Sequence, residues 1–453
     1  MNSIHRFERD CVRIFAVPFH DLDTGAIARS LSQIADREGD LADAYFERQE
    51  VVELPAPDAT AGVRVWREQG FAIRLIRDGA AWLASRDGID SDLFADGLRQ
   101  VARVMPTAPY SPPVLSVGPF AGSDVSAAMQ EFPVQVTRAI RRRLAGFPLR
   151  LKIRRHRRWI RLAGTHVAPD QEQEDFHSFE AETPWGRHGA LLAQLDEDAI
   201  EDVASSLTSL FRAREAASIQ PGSSPVILAP AACAVLLHEA VAHALEIDTL
   251  ALDGRVEAAI GAQVGSELLD VLDNPAGGPE GVARQTDDEG MRVIRRWLLR
   301  GGVVEQLLAD LKTAHDSADL IAGAGRRGHR HVAPVPRSSH LELLAGDLEF
   351  EDLAVDMTAG LFFSEATRGS LDPLSGEFSL SVPWGRRIRR GKLGDLVAPC
   401  RLRGRVSDIL GAVSGVGKAR RSAGAGWCAK GGIKLPVWAT APALRLETVE
   451  VLG

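Results

Sequence analysis

The sequence predicts an α+β protein in two parts: an N-terminal α+β domain with an antiparallel sheet and helices, then a β-rich C-terminal domain. Three observations carry this reading. Amphipathic helical spacing is concentrated in the first half of the 453 residues, strands with Gly-rich turns dominate after residue 250, and Pro221-Gly222-Ser223-Ser224 punctuates the chain between them. The domains are therefore placed at 1–220 and 221–453, the first open to a further break near 105–122 in the Pro-rich stretch Met105 to Pro119.

Residues 25–38 carry Ile27, Leu31, Ile34 and Ala35 at helical spacing and lead into a strand at Ala42 to Val52. Val63 to Trp66, Phe71 to Ile76 and Ala80 to Ala84 follow as two or three more strands. Ser91 to Val104 is an amphipathic helix with Leu93, Phe94, Leu98 and Val101 on one face and Ser91 placed to cap its start. Ser123 to Ala145 reads as helical, strands run on to about Leu192, and Asp196 to Ala217 is a helix. After the short strand Val226 to Leu228, Pro230 sits where a first helical turn tolerates proline. Downstream, Glu377 to Val382, Leu396 to Arg405 and Ala443 to Val451 are the clearest strands, with a short helix at Val406 to Val416.

The composition, 45% hydrophobic and 25% charged, is that of a globular protein. Cys11, Cys233, Cys400 and Cys428 are scattered without a disulfide framework, which fits a reducing compartment. Residues Met1 to Arg29 lack the continuous apolar core of a signal peptide, and the apolar run Pro225 to Leu237 is too short to span a bilayer. The expected location is cytoplasmic, with no membrane partner.

The net charge of −8 conceals a basic block: Arg138 to Arg161 holds eleven Lys or Arg and no acid. Such a block can bind nucleic acid. Leu149, Leu151 and Ile153, however, alternate with Arg150, Lys152 and Arg154, the pattern of a half-buried strand with a basic face turned to solvent or to an acidic partner. Nucleic acid is not the expected partner. Gly323-Ala-Gly325-Arg-Arg-Gly328 matches GxGxxG but follows no convincing strand, so dinucleotide binding is not expected either. His329, His331 and His340, set among arginines, read as substrate-facing or surface groups.

The chemistry is concentrated in Val235-Leu-Leu-His238-Glu239-Ala-Val-Ala-His243-Ala-Leu-Glu246. Two imidazoles can hold zinc, and a neighbouring carboxylate can take a proton from metal-bound water. At i and i+5 the histidines stand about 140° apart on an ideal helix, against about 40° for the i,i+4 pair of zinc proteases. Both face one ion only if the helix contains a π-type turn or ends between them. The alternative is a helix with one histidine on each face. Cys428, in the Gly-rich segment 423–432, is a third candidate ligand, and two His plus a thiolate leave a fourth position for water. Glu239 is the candidate base, with ligation left open by its i,i+4 spacing to His243. Glu246 either orients a histidine or ends the helix in solvent. Cys233 reads as a small buried residue.

His238-Glu-Ala-Val-Ala-His243-Ala-Leu-Glu246-Ile-Asp248 resembles the signature of the TldD/PmbA peptidases, His-Glu-Ala-Val-Gly-His-Gly-Leu-Glu-Gly-Asp. Four segments resemble that family in the same order: Thr286 to Gly290, His331 to Arg337, Leu371 to Ser381, and Gly426 to Gly431. Asp43 to Arg48 and Gly70 to Arg74 resemble its first strands more weakly. The resemblance implies Zn²⁺ held by His238, His243 and Cys428, with Glu239 as catalytic base. Arg337, within the His331 to Arg337 segment, is a separate candidate for substrate binding. The resemblance also implies a peptidase for small or unfolded peptides, working as a heterodimer with a TldE/PmbA-like paralogue or as a homodimer. The alternative is a non-catalytic partner or leader-peptide-binding subunit. Ala242, Ala244 and Ile247 replace the signature's glycines and add side chains beside the site.

Overall fold

A computed structural model describes residues 19, 22–54, 63–103, 115, 140, 142–144, 146–167, 170–250, 260–315, 317, 319–430 and 432–453. Strands β1 (Leu41–Leu54), β2 (Arg64–Arg77), β3 (Ala80–Asp87), β4 (Arg150–Gly164), β5 (Asp170–Thr183) and β6 (Gly186–Leu192) form one antiparallel sheet ordered β3-β2-β1-β4-β5-β6. The two-residue period sorts β1 by face. Ala42, Ala44 and Phe46 pack with Ile27 and Leu31 of α1 (Thr24–Ile34) and with Phe94 and Leu98 of α2 (Ser91–Ala102). Asp43, Tyr45 and Glu47 point the other way and are equally buried. Helix α3 (Glu197–Ala213) sets Ile200, Val203, Leu207 and Leu210 against Leu151, Ile153 and Phe179.

Each of these helices starts on an aspartate whose carboxylate accepts an otherwise orphaned backbone N–H. Asp23 serves Ala26, Asp90 serves Leu93 and Asp196 serves Ala199. Ser91 is therefore not the cap of α2. Its hydroxyl instead accepts the N–H of Leu115 at 2.7 Å. The two strands expected over 63–76 are one, because Gly70 continues the pairing, opposite Glu47 on one side and Asp87 on the other. The expected helix at Ser123 to Ala145 and the Pro-rich stretch lie almost wholly outside the described residues.

The basic strand departs from expectation. Arg150 is exposed, but Arg157 and Arg158 are buried. Arg154 and Arg157 meet Glu53 and Glu50 directly across the β1–β4 ladder, and Arg158 Nε donates to Glu47 Oε1 at 2.7 Å. Arg154, Arg155, Arg157 and Arg158 are paired with acids on the neighbouring strands, so among the described residues β4 presents no continuous basic face.

The second sheet is mixed and has thirteen strands among the described residues. They are β7 (Gly222–Leu228), β8 (Val271–Asp273), β9 (Arg296–Arg300), β10 (Val303–Val304), β13 (His340–Leu343), β14 (Ala359–Phe363), β15 (Arg368–Leu371), β16 (Glu377–Val382), β17 (Gly385–Arg389), β18 (Lys392–Val397), β19 (Cys400–Arg405), β20 (Val413–Lys430) and β21 (Ile433–Leu452). The short β11 (Gly325–Arg326) and β12 (Val335–Pro336) pair only with each other. The strand expected at Leu396 to Arg405 breaks at Ala398-Pro399, where proline has no N–H for the ladder, and the following helix stops at Gly411. β21 lies centrally, pairing with β7, β13, β19 and β20.

The charged face of the first sheet is covered by the loops around β11. Asp288, fully buried, accepts from Arg284 at 2.7 Å, from Arg326 Nε at 3.3 Å and from the backbone N–H of Arg327 at 2.8 Å. Glu174 of β5 accepts from Arg284 and Arg326, Arg74 of β2 pairs with Glu289, and Arg327 stacks on the Tyr45 ring at 4.3 Å. Buried charges persist only when paired in this way. The Thr286–Gly290 motif and the GxGxxG-like segment thus form an ionic seam between the two sheets. Loop N–H groups there are turned to carboxylates, Gly325 to Asp287 and Arg327 to Asp288.

Candidate metal centre

Helix α4 (Pro230–Leu237) follows β7 after a single residue, with Pro230 in its first turn and every residue from Ala232 to Leu237 buried. It runs directly into a π-helical turn, His238–Ala242, whose closing bond joins the His243 N–H to the His238 carbonyl. A 3₁₀ turn, His243–Leu245, follows. The wide turn gains one residue per revolution, so side chains at i and i+5 come onto one face. The imidazole centroids of His238 and His243 lie 4.4 Å apart.

Cys428 arrives from the other end of the sequence. The β20–β21 hairpin pairs Cys428 with Leu435 near its tip and carries the thiol to the end of α4. Its Sγ is 3.3 Å from His243 Nε2, and the candidate ligand atoms of His238, His243 and Cys428 all lie within 4.8 Å of one another. In a tetrahedral zinc sphere such atoms stand about 3.5 Å apart, given bonds of about 2.0–2.3 Å. Both ring nitrogens of His238 are buried without a hydrogen-bond partner, and burial holds this imidazole well below its usual pKa, in the neutral form that a metal takes. The residues present fit a zinc ion.

Around these residues is a charged support. Glu246, fully buried, faces His243 Nδ1 across 2.8 Å with its Oε2. The same oxygen accepts from Lys430 Nζ at 2.6 Å and from Arg337 at 3.3 Å, and Lys430 also reaches Asp248 at 2.8 Å and the Thr249 hydroxyl. Burial opposes ionisation of Glu246, but His243, Arg337 and Lys430 outweigh it and hold the carboxyl down to about 2. Burial likewise opposes charge on His243, yet Glu246 and the Cys428 sulfur push it up to about 10. Glu239 lies part-exposed in the π-turn, against Gly369 of β15, and burial raises its pKa.

Arg337 is only 2% exposed and turned toward Glu246. Glu246 sits beneath His243 and not in solvent, and Cys233 is buried, its thiol pushed up to about 12 by desolvation. Of the three later histidines, His329 is exposed and His331 bonds Asp87 and Ser85 at the surface. His340 is buried and bonds Thr440, contrary to its reading as a surface or substrate-facing group. Lys430 and Gly369 carry no role in the sequence reading. Lys430 was within reach, since the strand period puts it on the same face as Cys428.

The C-terminal half matches the PmbA/TldA metallopeptidase C-terminal domain over residues 221–453. The chain belongs to the TldD/PmbA metallopeptidase family. It is 30% identical over 234 residues to the metalloprotease TldD homologue of Haemophilus influenzae, covering 51% of this chain and 48% of that protein. A zinc metalloprotease TldD homologue of Saccharolobus solfataricus is 23% identical over 234 residues, 51% of this chain and 52% of the relative. The chain thus spans about half the length of the curated relatives it matches. Its TldD/TldE-like fold extends further: TldE from Thermococcus kodakarensis superposes with a TM-score of 0.71 over 95% of this chain and 99% of TldE, at 16% identity. Among the described residues no helix is long and apolar enough to cross a membrane.

Proposed function

We propose that this TldD/PmbA-family protein is a zinc-dependent peptidase that hydrolyses small or unfolded peptides. The observation that carries the reading is the π-turn, which gathers His238 and His243 beside Cys428. These three residues would hold the ion. When bound, zinc supplies Lewis acidity and lowers the pKa of coordinated water toward neutrality.

The chain's own groups divide the remaining work. Glu239 takes a proton from the attacking water and gives it to the leaving amine, a role suited to a carboxylate whose pKa burial has raised. Glu246 accepts the Nδ1–H of His243, fixing the tautomer that leaves Nε2 toward Cys428. Lys430 and Arg337 keep Glu246 anionic, and we assign Arg337 to this support in place of substrate contact. Strand β15 pairs only with β16 among the described residues, leaving an edge beside Glu239 that suits an extended peptide.

A second reading, a non-catalytic partner or leader-peptide-binding subunit, is favoured by the likeness to TldE over nearly its whole length. Metal content and turnover separate the two. Elemental analysis of the purified protein, alone and with any co-encoded paralogue, should give one zinc per chain, lost in Cys428→Ser. Glu239→Gln should keep the zinc and lose peptide hydrolysis by about a hundredfold or more. Absence of zinc under both conditions would sink the peptidase reading, and loss of zinc in Glu239→Gln would make Glu239 a ligand. With the paralogue present, co-elution as one complex supports a heterodimer, and a dimer of this chain alone supports the homodimer.

A further inference from the structure

The turn that carries the histidines has a second face. Ala240, Val241 and Ala244 line a part-open cavity of about 330 Å³, together with Leu371, Val406 and Leu410 among others. Two links tie it to the candidate centre. Ala244 directly follows His243. Gly369 of β15 lies against Glu239, and two residues along the same strand Leu371 forms part of the cavity wall, so β15 runs from the carboxylate to the cavity.

We propose that this cavity is the subsite for a large apolar side chain of the substrate, such as Leu, Met or Phe, flanking the bond that is cut. The proposal rests on the peptidase reading above. An apolar cavity of about 150 Å³ already accommodates benzene, so the volume suffices for a branched or aromatic side chain. The wall selects by chemistry as well. Arg405 is its one charged residue among those described, exposed and bonded through a guanidinium nitrogen to the Ser375 carbonyl at 3.1 Å. A charged substrate side chain would lose its water there without gaining a buried partner. Ala244, where the signature has glycine, adds a methyl to the wall and narrows it.

The test compares kcat/KM for paired dansylated peptides that carry Phe or Gly at the residue flanking the cleaved bond. The zinc-loaded wild type should favour Phe by about tenfold or more, the scale on which apolar pockets discriminate. Val406→Trp, which fills the cavity from a lining residue outside the π-turn, should bring that ratio close to one at unchanged zinc content. Ala244→Gly should raise the ratio for Trp over Leu. A wild-type ratio near one, or a Phe preference that survives in zinc-replete Val406→Trp, overturns the subsite. If zinc-loaded wild type cuts neither peptide, the peptidase reading fails by itself, and direct binding of the same two peptides decides the subsite: tighter binding of the Phe peptide, lost in Val406→Trp, supports it, and equal binding overturns it.

Discussion

Gly369 of β15 packs so closely on Glu239 of the π-turn that a Cβ at position 369 would overlap the glutamate side chain. The contact fixes where the candidate base stands, and only a residue without a side chain permits it. Gly369→Ala should displace Glu239 while leaving His238, His243 and Cys428 in place. Peptide hydrolysis is expected to fall about a hundredfold, the usual consequence of moving a reacting group by about 1 Å. Zinc content measured on the same sample should stay at the wild-type value. Loss of zinc together with activity would show that the contact holds the whole turn and not the base alone.

Glu246 receives His243, Lys430 and Arg337 on a single oxygen. Glu246→Gln keeps the shape and removes the charge. The expected result is zinc affinity weakened by about 10–100-fold, the range for outer-shell partners of a metal-bound histidine. Competition against a chromophoric chelator measures it. Unchanged affinity would mean that His243, Lys430 and Arg337 need Glu246 for folding alone.

The histidine helix was legible because i,i+5 spacing admits few solutions, and the chain adopts the π-turn, which keeps both imidazoles on one side. Strand alternation was legible wherever its partner face is apolar, as in Glu377 to Val382. It misleads in β4, where Leu149 to Arg154 alternates but the next four residues, Arg155-His156-Arg157-Arg158, are polar on both faces. What decides their burial is Glu47 and Glu50 about a hundred residues upstream and Glu174 on the following strand, a pairing that local pattern does not encode. Gly369 was invisible for the same reason, since its role depends on a side chain 130 residues away. Glu246 could be read in two ways until the positions of Lys430 and Arg337 were known.

The β4 arginines therefore separate by environment. Arg158 is buried between Glu47, Glu174 and the Tyr45 hydroxyl, whereas the Arg150 side chain is 84% exposed. Arg158→Met should cost about 3–5 kcal/mol, because it strands buried carboxylates. Arg150→Glu should change stability by less than about 0.5 kcal/mol. Denaturant midpoints at constant m-value give both numbers. Similar small effects at both positions would mean that the strand's basic residues face solvent after all.

Asp288 gives the ionic seam its pH dependence. Burial alone would raise its pKa, but Arg284, Arg158 and Arg326 outweigh it and hold the carboxyl far below the ordinary aspartate value. Because the folded-state pKa lies below the unfolded one, the native chain binds fewer protons in the interval between them. The stabilisation is therefore complete above the unfolded value, near pH 4, and is lost as pH falls further toward the folded value. Glu174 and Glu47, lowered by their own arginines against the pull of burial, act in the same direction. Asp288→Asn should destabilise the protein at pH 7 by about 3–5 kcal/mol, since three arginines lose a shared anion. The gap between wild type and variant should narrow in acid, because below about pH 4 the unfolded wild type takes up a proton at Asp288 that the folded chain still excludes, and the Asn variant has no such group. Denaturant unfolding of both proteins at pH 7 and pH 3.5 measures this, and a gap that stays constant would place the origin of the effect in packing and not in charge.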